Sequence, residues 1–183
     1  MTRHKFRVLI LSSILILGLL ITGCTPSDQT GDPDNNQPPA ATEQELTLYF
    51  AEAGANGLVA EKRTIEVEDP GQLSSLIVQE LIAGPVNDSL YPTIPPETKL
   101  ISVKLEAGTA MVDFSQEIIS KHWGGSTGET MTIMSLVNSL TELSEVERVQ
   151  ILVEGEVVDS LLGHWDSSEP IERDESLILR PQS

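Results

Sequence analysis

Cysteine, histidine and aromatic side chains are all scarce in this chain of 183 residues. A single cysteine, Cys24, cannot form an internal disulfide. His4, His122 and His164 are the only histidines, fewer than a transition-metal site usually draws on; His164, Asp166 and Glu169 come nearest to a ligand group. No EF-hand-like loop is present. No Gly-x-Ser-x-Gly turn occurs to expose a serine nucleophile, and no carboxylates pair in a recognisable catalytic arrangement. The expectation is therefore no catalytic residue, no metal and no dissociable cofactor. Aromatics make up only 4 %, so the core must rest on Leu, Ile and Val, which suffice for one compact domain.

Basic residues are also few. Lys and Arg total 11 against 28 Asp and Glu, a formal net charge of −17. Arg3, Lys5 and Arg7 lie in the first 23 residues, which carry no acid, and without that segment 8 basic residues face 28 acidic ones. Such a surface repels nucleic acid and anionic headgroups. The acids are scattered, so a solvated face is the simple reading and a cation-binding surface the alternative.

The chain holds one long apolar run, Val8 to Leu20, behind the short basic start Met1 to Arg7. It is shorter than the ~20 residues a spanning helix prefers and reads as a secretory signal. It ends in Leu20-Ile21-Thr22-Gly23-Cys24, which resembles a bacterial lipobox. That resemblance implies diacylglycerol on the Cys24 sulfur, cleavage after Gly23, and anchorage to the outer face of the cell membrane. Two acyl chains hold far better than one. Residues 1–23 are then the signal, and residues 24–45 the lipidated cysteine with a polar tether. The tether, rich in Pro, Asp, Asn and Gln, cannot bury enough surface to fold, and a flexible chain of its length spans about 25 Å r.m.s..

From Leu46 the pattern is that of a folded domain. Leu46, Leu48 and Phe50 alternate as a half-buried strand, and Ile65 and Val67 mark a second. Asp69-Pro70 opens a helix with Leu73, Leu76, Ile77 and Leu81 on one face, and Gly84-Pro85 ends it. Residues 86–99, with Pro92, Pro95 and Pro96, form a connection or a binding loop. Ile101 to Phe114 reads as a hairpin turning at Ala107-Gly108, and residues 116–122 as a short helical turn that Ser115 caps. Ser126 and Glu129 fit a capping box for a second helix with Ile133, Leu136, Val137, Leu140 and Leu143 on one face. Val149 to Val153 is a strand, Glu154-Gly155 a turn, and Val157 to Leu161 a return. The stretches VKLEAGTAMVDF and QILVEGEVVDSL look alike, through weak duplication or shared hairpin chemistry. Leu177 to Leu179 is a last edge strand or an exposed tail. The sum is an α+β domain with two helices on one face of a small mixed or antiparallel sheet.

Gly124 to Gly128 opens a helix in the manner of an anion cradle, but it lacks a P-loop lysine and carries Glu129; a lead-in and cap is the simpler reading. Trp123 and Trp165 each sit beside His and Gly in irregular segments. Core packing is the default for both, partner contact the alternative, because Trp is enriched at interface hot spots.

The segments LIAGPVNDSLYPTIPPETKLISVKLEAGTAMVDFSQEI and GGSTGETMTIMSLVNSLTELSEVERVQILVEGEVVDSLLGHWDSSEPI together resemble the GerM domain family of spore-forming bacteria. The resemblance rests on Gly84-Pro85, Ile94-Pro95-Pro96, Val112 to Ser115, Asn138 with Leu140 and Thr141, the strand Val149 to Gly155 and the Gly163-His164 step. It covers residues 46–172, leaving residues 173–183 as a tail or edge strand. It implies a ring-building-motif-like fold and a non-enzymatic lipoprotein of sporulation or germination. The family's namesake supports a ring-shaped channel complex between mother cell and forespore and carries two such domains, where this chain has room for one.

Two functions follow as expectations. The first is an assembly or scaffold module that meets envelope or sporulation-complex proteins, or further copies of itself, through sheet edges, Pro95, Pro96, Trp123 and Trp165. The second is a ligand-binding lipoprotein for a solute or cell-wall fragment, with residues 86–99 and the Trp123 segment as lips.

Overall fold

The computed structural model describes residues 41–180. The signal segment, Cys24 with its expected lipid and the tether up to residue 40 lie outside the described residues. Strands β1 (Thr42–Glu52) and β2 (Leu58–Val67) form a long antiparallel hairpin, in register from Thr42 opposite Val67 to Ala51 opposite Leu58. β1 starts inside the stretch read from sequence as tether. Its first four residues are exposed, so no apolar alternation marks them; pairing with β2 and a 2.6 Å contact from Lys62 Nζ to Glu45 accompany the extension. Helix α1 (Leu73–Ala83) follows a 3₁₀ turn, Pro70–Gln72, where the Asp69 carboxylate accepts from Gly71 N at 2.9 Å as the cap chemistry predicts. Strand β3 (Leu90–Tyr91) then joins the other edge of β1 at Ala51 and Glu52.

The remaining strands make a second sheet. β4 (Leu100–Glu106) and β5 (Thr109–Phe114) are the expected hairpin. The chain crosses over through α2 (Glu117–Ser120) and α3 (Ser126–Leu140) and returns as β6 (Arg148–Val153), parallel to β5. β7 (Glu156–Val157) and β8 (Ile171–Glu172) share the far edge of β6. The α+β class holds, with the strands divided between two sheets. α1 contacts β1 and β4, and α3 contacts β1 and β6, so the two helices bind the sheets together. Phe50, Phe114, Leu48, Ile77, Ile133 and Leu136 are among the fully buried side chains, and each such residue contributes about 1.5–3 kcal/mol of burial free energy. The two sequence-similar stretches share one turn geometry: Ala107-Gly108 and Glu154-Gly155 all have positive φ, which a two-residue hairpin turn of this hand requires.

Four readings need correction. α3 is not amphipathic: every residue from Met131 to Leu140 is buried, polar ones included, because both sheets and the loops surround it. Its N-cap is Gly125, and Glu129 does not fold back to cap; three donors on residues 160–164 take its carboxylate instead. The return strand stops at Val157, short of the expected Leu161. Ser115 does not cap α2 through its hydroxyl, which accepts from Lys99 N at 2.9 Å.

Residues 173–180, expected as a tail or edge strand, pack on the domain. Arg173 Nη1 donates to Asn138 O at 2.8 Å, and its Nη2 reaches Glu142 Oε1 at 2.7 Å, closing the C-terminal end of α3. A 3₁₀ turn at Glu175–Leu177 leads to Ile178, which makes a single parallel bridge to Leu58, and Leu179 N donates to Leu58 O at 2.8 Å. The apolar triplet is therefore docked, though only one bridge of it is strand-like.

Candidate interaction cleft

Where β1 ends, three segments converge. Glu52 ends β1 and Gly54 and Ala55 come from the turn after it, Tyr91, Pro92 and Thr93 from β3 and the loop after it, and Gly128 and Met131 from the first turns of α3. With Trp123 they line a cleft of about 260 Å³. Trp123 is 53 % exposed and Tyr91 56 %, while Met131 is buried. The Trp123 ring lies over Gly128: a Cβ there would meet Trp123 Cδ1 and Nε1 at 3.6 Å and His122 Cε1 at 3.4 Å.

Buried hydroxyls fix the walls. His122 Nδ1 accepts from Gly124 N at 3.0 Å, which places the ring proton on Nε2, 2.9 Å from Thr132 Oγ1. Thr132 in turn donates to Thr93 O. The Thr93 hydroxyl contacts Ser135 Oγ at 2.7 Å, and Ser135 donates to Tyr49 O at 2.5 Å. The Trp123 segment and the 86–99 loop are thus joined through α3. Burial holds the His122 imidazole below its ordinary pKa, against the opposing pull of Glu129, so the neutral ring that this network needs is the favoured form. Thr132 and Ser135 are themselves buried, so the relay is architecture, with no nucleophile presented.

Glu129, fully buried, is the second fixed point. Its carboxylate accepts from Ser160 Oγ at 2.7 Å, Leu162 N at 2.8 Å and His164 N at 3.0 Å. Burial alone would raise its pKa, but these donors and the nearby His164 outweigh it and hold the carboxyl below the usual range.

Of the residues singled out from sequence, Trp123 lies on the cleft together with part of the proline-rich loop. Pro95 is buried and can offer no contact, because its loop folds inward beside the fully buried Ile94; Pro96 is exposed but does not line the cleft. Trp165 packs half-buried against the core. Cys24 lies outside the described residues. Asp166 is occupied with Ser168, accepting from its N at 3.0 Å, and among the described residues no three His, Cys, Asp or Glu side chains group as metal ligands. Sequence reasoning missed Tyr91 and Glu52. An aromatic set beside Pro92 was a usable signal for the first; nothing local marked the second.

A family model described as "Germane: Sporulation and spore germination" matches residues 47–159, more than half of the chain. The chain belongs to the Germane family. The match spans β1 to the segment after β7 and so contains the whole cleft. A solved protein of Clostridium perfringens described as a lipoprotein shares 29 % identity with this Germane chain at a TM-score of 0.52, covering 71 % of this chain and 87 % of the other. The tandem GerMN domains of the sporulation protein GerM from Bacillus subtilis share 25 % identity at a TM-score of 0.58, covering 74 % of this chain and 45 % of theirs. The first GerMN domain alone gives 19 % identity, a TM-score of 0.55 and coverage of 72 % and 98 %, a likeness of fold. The chain thus spans less than half of the tandem structure. No curated protein matches it. The resemblance read from the Gly-Pro, Ile-Pro-Pro and Val-Asp-Phe-Ser motifs is the family the chain belongs to. Among the described residues no helix is long and apolar enough to cross a membrane.

Proposed function

We propose that this Germane-family protein is a non-enzymatic, lipid-anchored interaction module of the cell envelope, acting in sporulation or germination assemblies. Cys24 would carry the diacylglycerol anchor, and the domain would meet its partner at the cleft between Tyr91 and Trp123. The observation that carries this reading is the exposure of both rings on one cleft whose walls are fixed by buried hydrogen bonds. Solvent-facing Trp and Tyr on a rigid frame are what interface hot spots are built from. Family membership and the lipoprotein of similar structure support the envelope setting. A solute-binding role with the same two segments as lips has less support, since about 260 Å³ falls below the roughly 300–1,000 Å³ of small-molecule pockets.

The test is site-specific photocrosslinking in sporulating cells. A photoreactive residue at position 91 or 123 should trap the same partner, and one at exposed Glu66 on β2 should not. No adduct at 91 or 123 in folded, anchored protein, or the same adducts from all three positions, would overturn the proposal.

A further inference from the structure

We propose that the Tyr91–Trp123 cleft is a cation cage that takes the guanidinium or ammonium head of an Arg or Lys side chain on a basic segment of a partner protein. The inference rests on the interaction reading above and names the chemistry of the partner.

Four observations carry it. First, the cleft is lined by two exposed rings and by Glu52, its only charged residue. Trp and Tyr faces attract cations through the ring quadrupole, and a carboxylate at the same site adds charge. Second, that carboxylate is fixed and not neutralised. Glu52 Oε1 accepts from Asn56 N at 3.1 Å and from Asn56 Nδ2 at 2.9 Å, and among the described residues Glu52 makes no ion pair.

Third, the fold uses the same combination twice for its own arginines. Arg63 lies 5.4 Å from the Phe50 ring centroid while contacting Glu61 and Glu80 at 2.6 and 2.5 Å. Arg173 lies 5.4 Å from the Tyr49 centroid while contacting Glu142 at 2.7 Å. The cleft repeats the aromatic and carboxylate parts, and its lining includes no Lys or Arg. Fourth, the volume, about 260 Å³, suits the end of one side chain better than a peptide strand or a sugar chain. A sugar would also need several fixed donors and acceptors. The Thr93 hydroxyl and carbonyl are already held by Ser135 and Thr132. The net charge of −17 would draw a basic partner in and speed its encounter.

The full chain in detergent micelles, carrying Trp165→Phe so that Trp123 is its only tryptophan, tests this. It is titrated by fluorescence with capped pentapeptides Gly-Gly-X-Gly-Gly in which X is Arg, Lys, Gln or Glu. Arg and Lys should give a saturable change in Trp123 emission, with Gln and Glu weaker by about tenfold. Glu52→Gln and Tyr91→Leu should each weaken the Arg peptide several-fold, and added salt should weaken it further. If Trp165→Phe unfolds the domain, the Trp123 indole N–H resonance of the wild-type chain gives the same readout.

Equal binding of the Gln peptide, indifference to Glu52→Gln, or no saturable response to Arg would overturn the proposal. So would tighter binding of a diproline peptide or a chito-oligosaccharide. The two proposals fail separately: trapped partners at position 123 without Arg or Lys binding would sink only the cation cage, and Arg binding without trapped partners would sink only the assembly role.

Discussion

The backbone N–H of Tyr49 donates to the hydroxyl of Ser139 at 3.0 Å, and its carbonyl accepts from Ser135 at 2.5 Å. A helix therefore completes a strand edge. β3 covers β1 only at Ala51 and Glu52, and two residues earlier two serines of α3 stand where a neighbouring strand's backbone would. Ser135→Ala or Ser139→Ala should each leave a buried backbone group unpaired and cost about 1–3 kcal/mol. Both share Tyr49, so the double variant should depart from additivity. Urea unfolding at constant m reads both effects.

Glu129 gathers residues 160–164 onto α3. Glu129→Ala would leave three part-buried donors without their acceptor and should destabilise by about 1–3 kcal/mol. Glu129→Gln keeps the shape but weakens each bond, and should fall between. Hydrogen exchange should quicken first at the Leu162 and His164 amides, ahead of the strand β6 amides; uniform acceleration would argue against a local clamp.

Two groups beside α3 shift the acid response in the same direction, and Glu61, whose burial is outweighed by Arg63 and the Val86 and Asn87 amides, adds to the second. His122 titrates in the fold below its ordinary value of 6.5, so the unfolded chain takes up its proton first as pH falls. Stability should be full above about pH 6.5 and decline below it. Glu129 adds a second decline below its ordinary value of 4.5, as pH falls towards its lowered folded value. His122→Gln should remove the first phase and leave the second, as chemical denaturation across pH 7 to 4 would record.

Gly57 lies against the docked tail. A Cβ there would stand 2.7 Å from Leu179 Cγ and 2.8 Å from Leu177 O. Gly57→Ala should push residues 177–179 away and cost about 1–3 kcal/mol. Loss of exchange protection at the Leu179 amide, with β4 and β5 unaffected, would locate the damage.

Cys24→Ala should move the protein from the membrane fraction to the soluble one or leave it unprocessed, because the proposed anchor is installed on that sulfur. Unchanged lipid labelling and processing in that variant would refute the anchor.

Elements whose pattern was local were legible. The β4–β5 hairpin showed through Ala107-Gly108, and α1 through Asp69-Pro70 at one end and Gly84 at the other. Contacts distant in sequence were not. Ser126 and Glu129 have capping-box spacing, but the partners of Glu129, namely Ser160, Leu162 and His164, lie more than thirty residues on. Ser135 and Ser139 lie on the helix side opposite the apolar face and read as solvated until Tyr49 supplies bonds across 86 and 90 residues. Arg173 reads as tail chemistry until Glu142 and Asn138 are beside it. Half of the cleft was visible, as Trp123 and a proline-rich loop. Their meeting on one cleft with Glu52 depends on where β1 ends.

That strand also sets a distance. β1 enters at Thr42 and reaches the cleft at Glu52, and its 11 residues at roughly 3.3 Å each separate the two ends by about 35 Å. On the anchored reading the leash joins at the near end. The paired strands then set the spacing between the point of entry and the recognition end, a length fixed by the hairpin's own register.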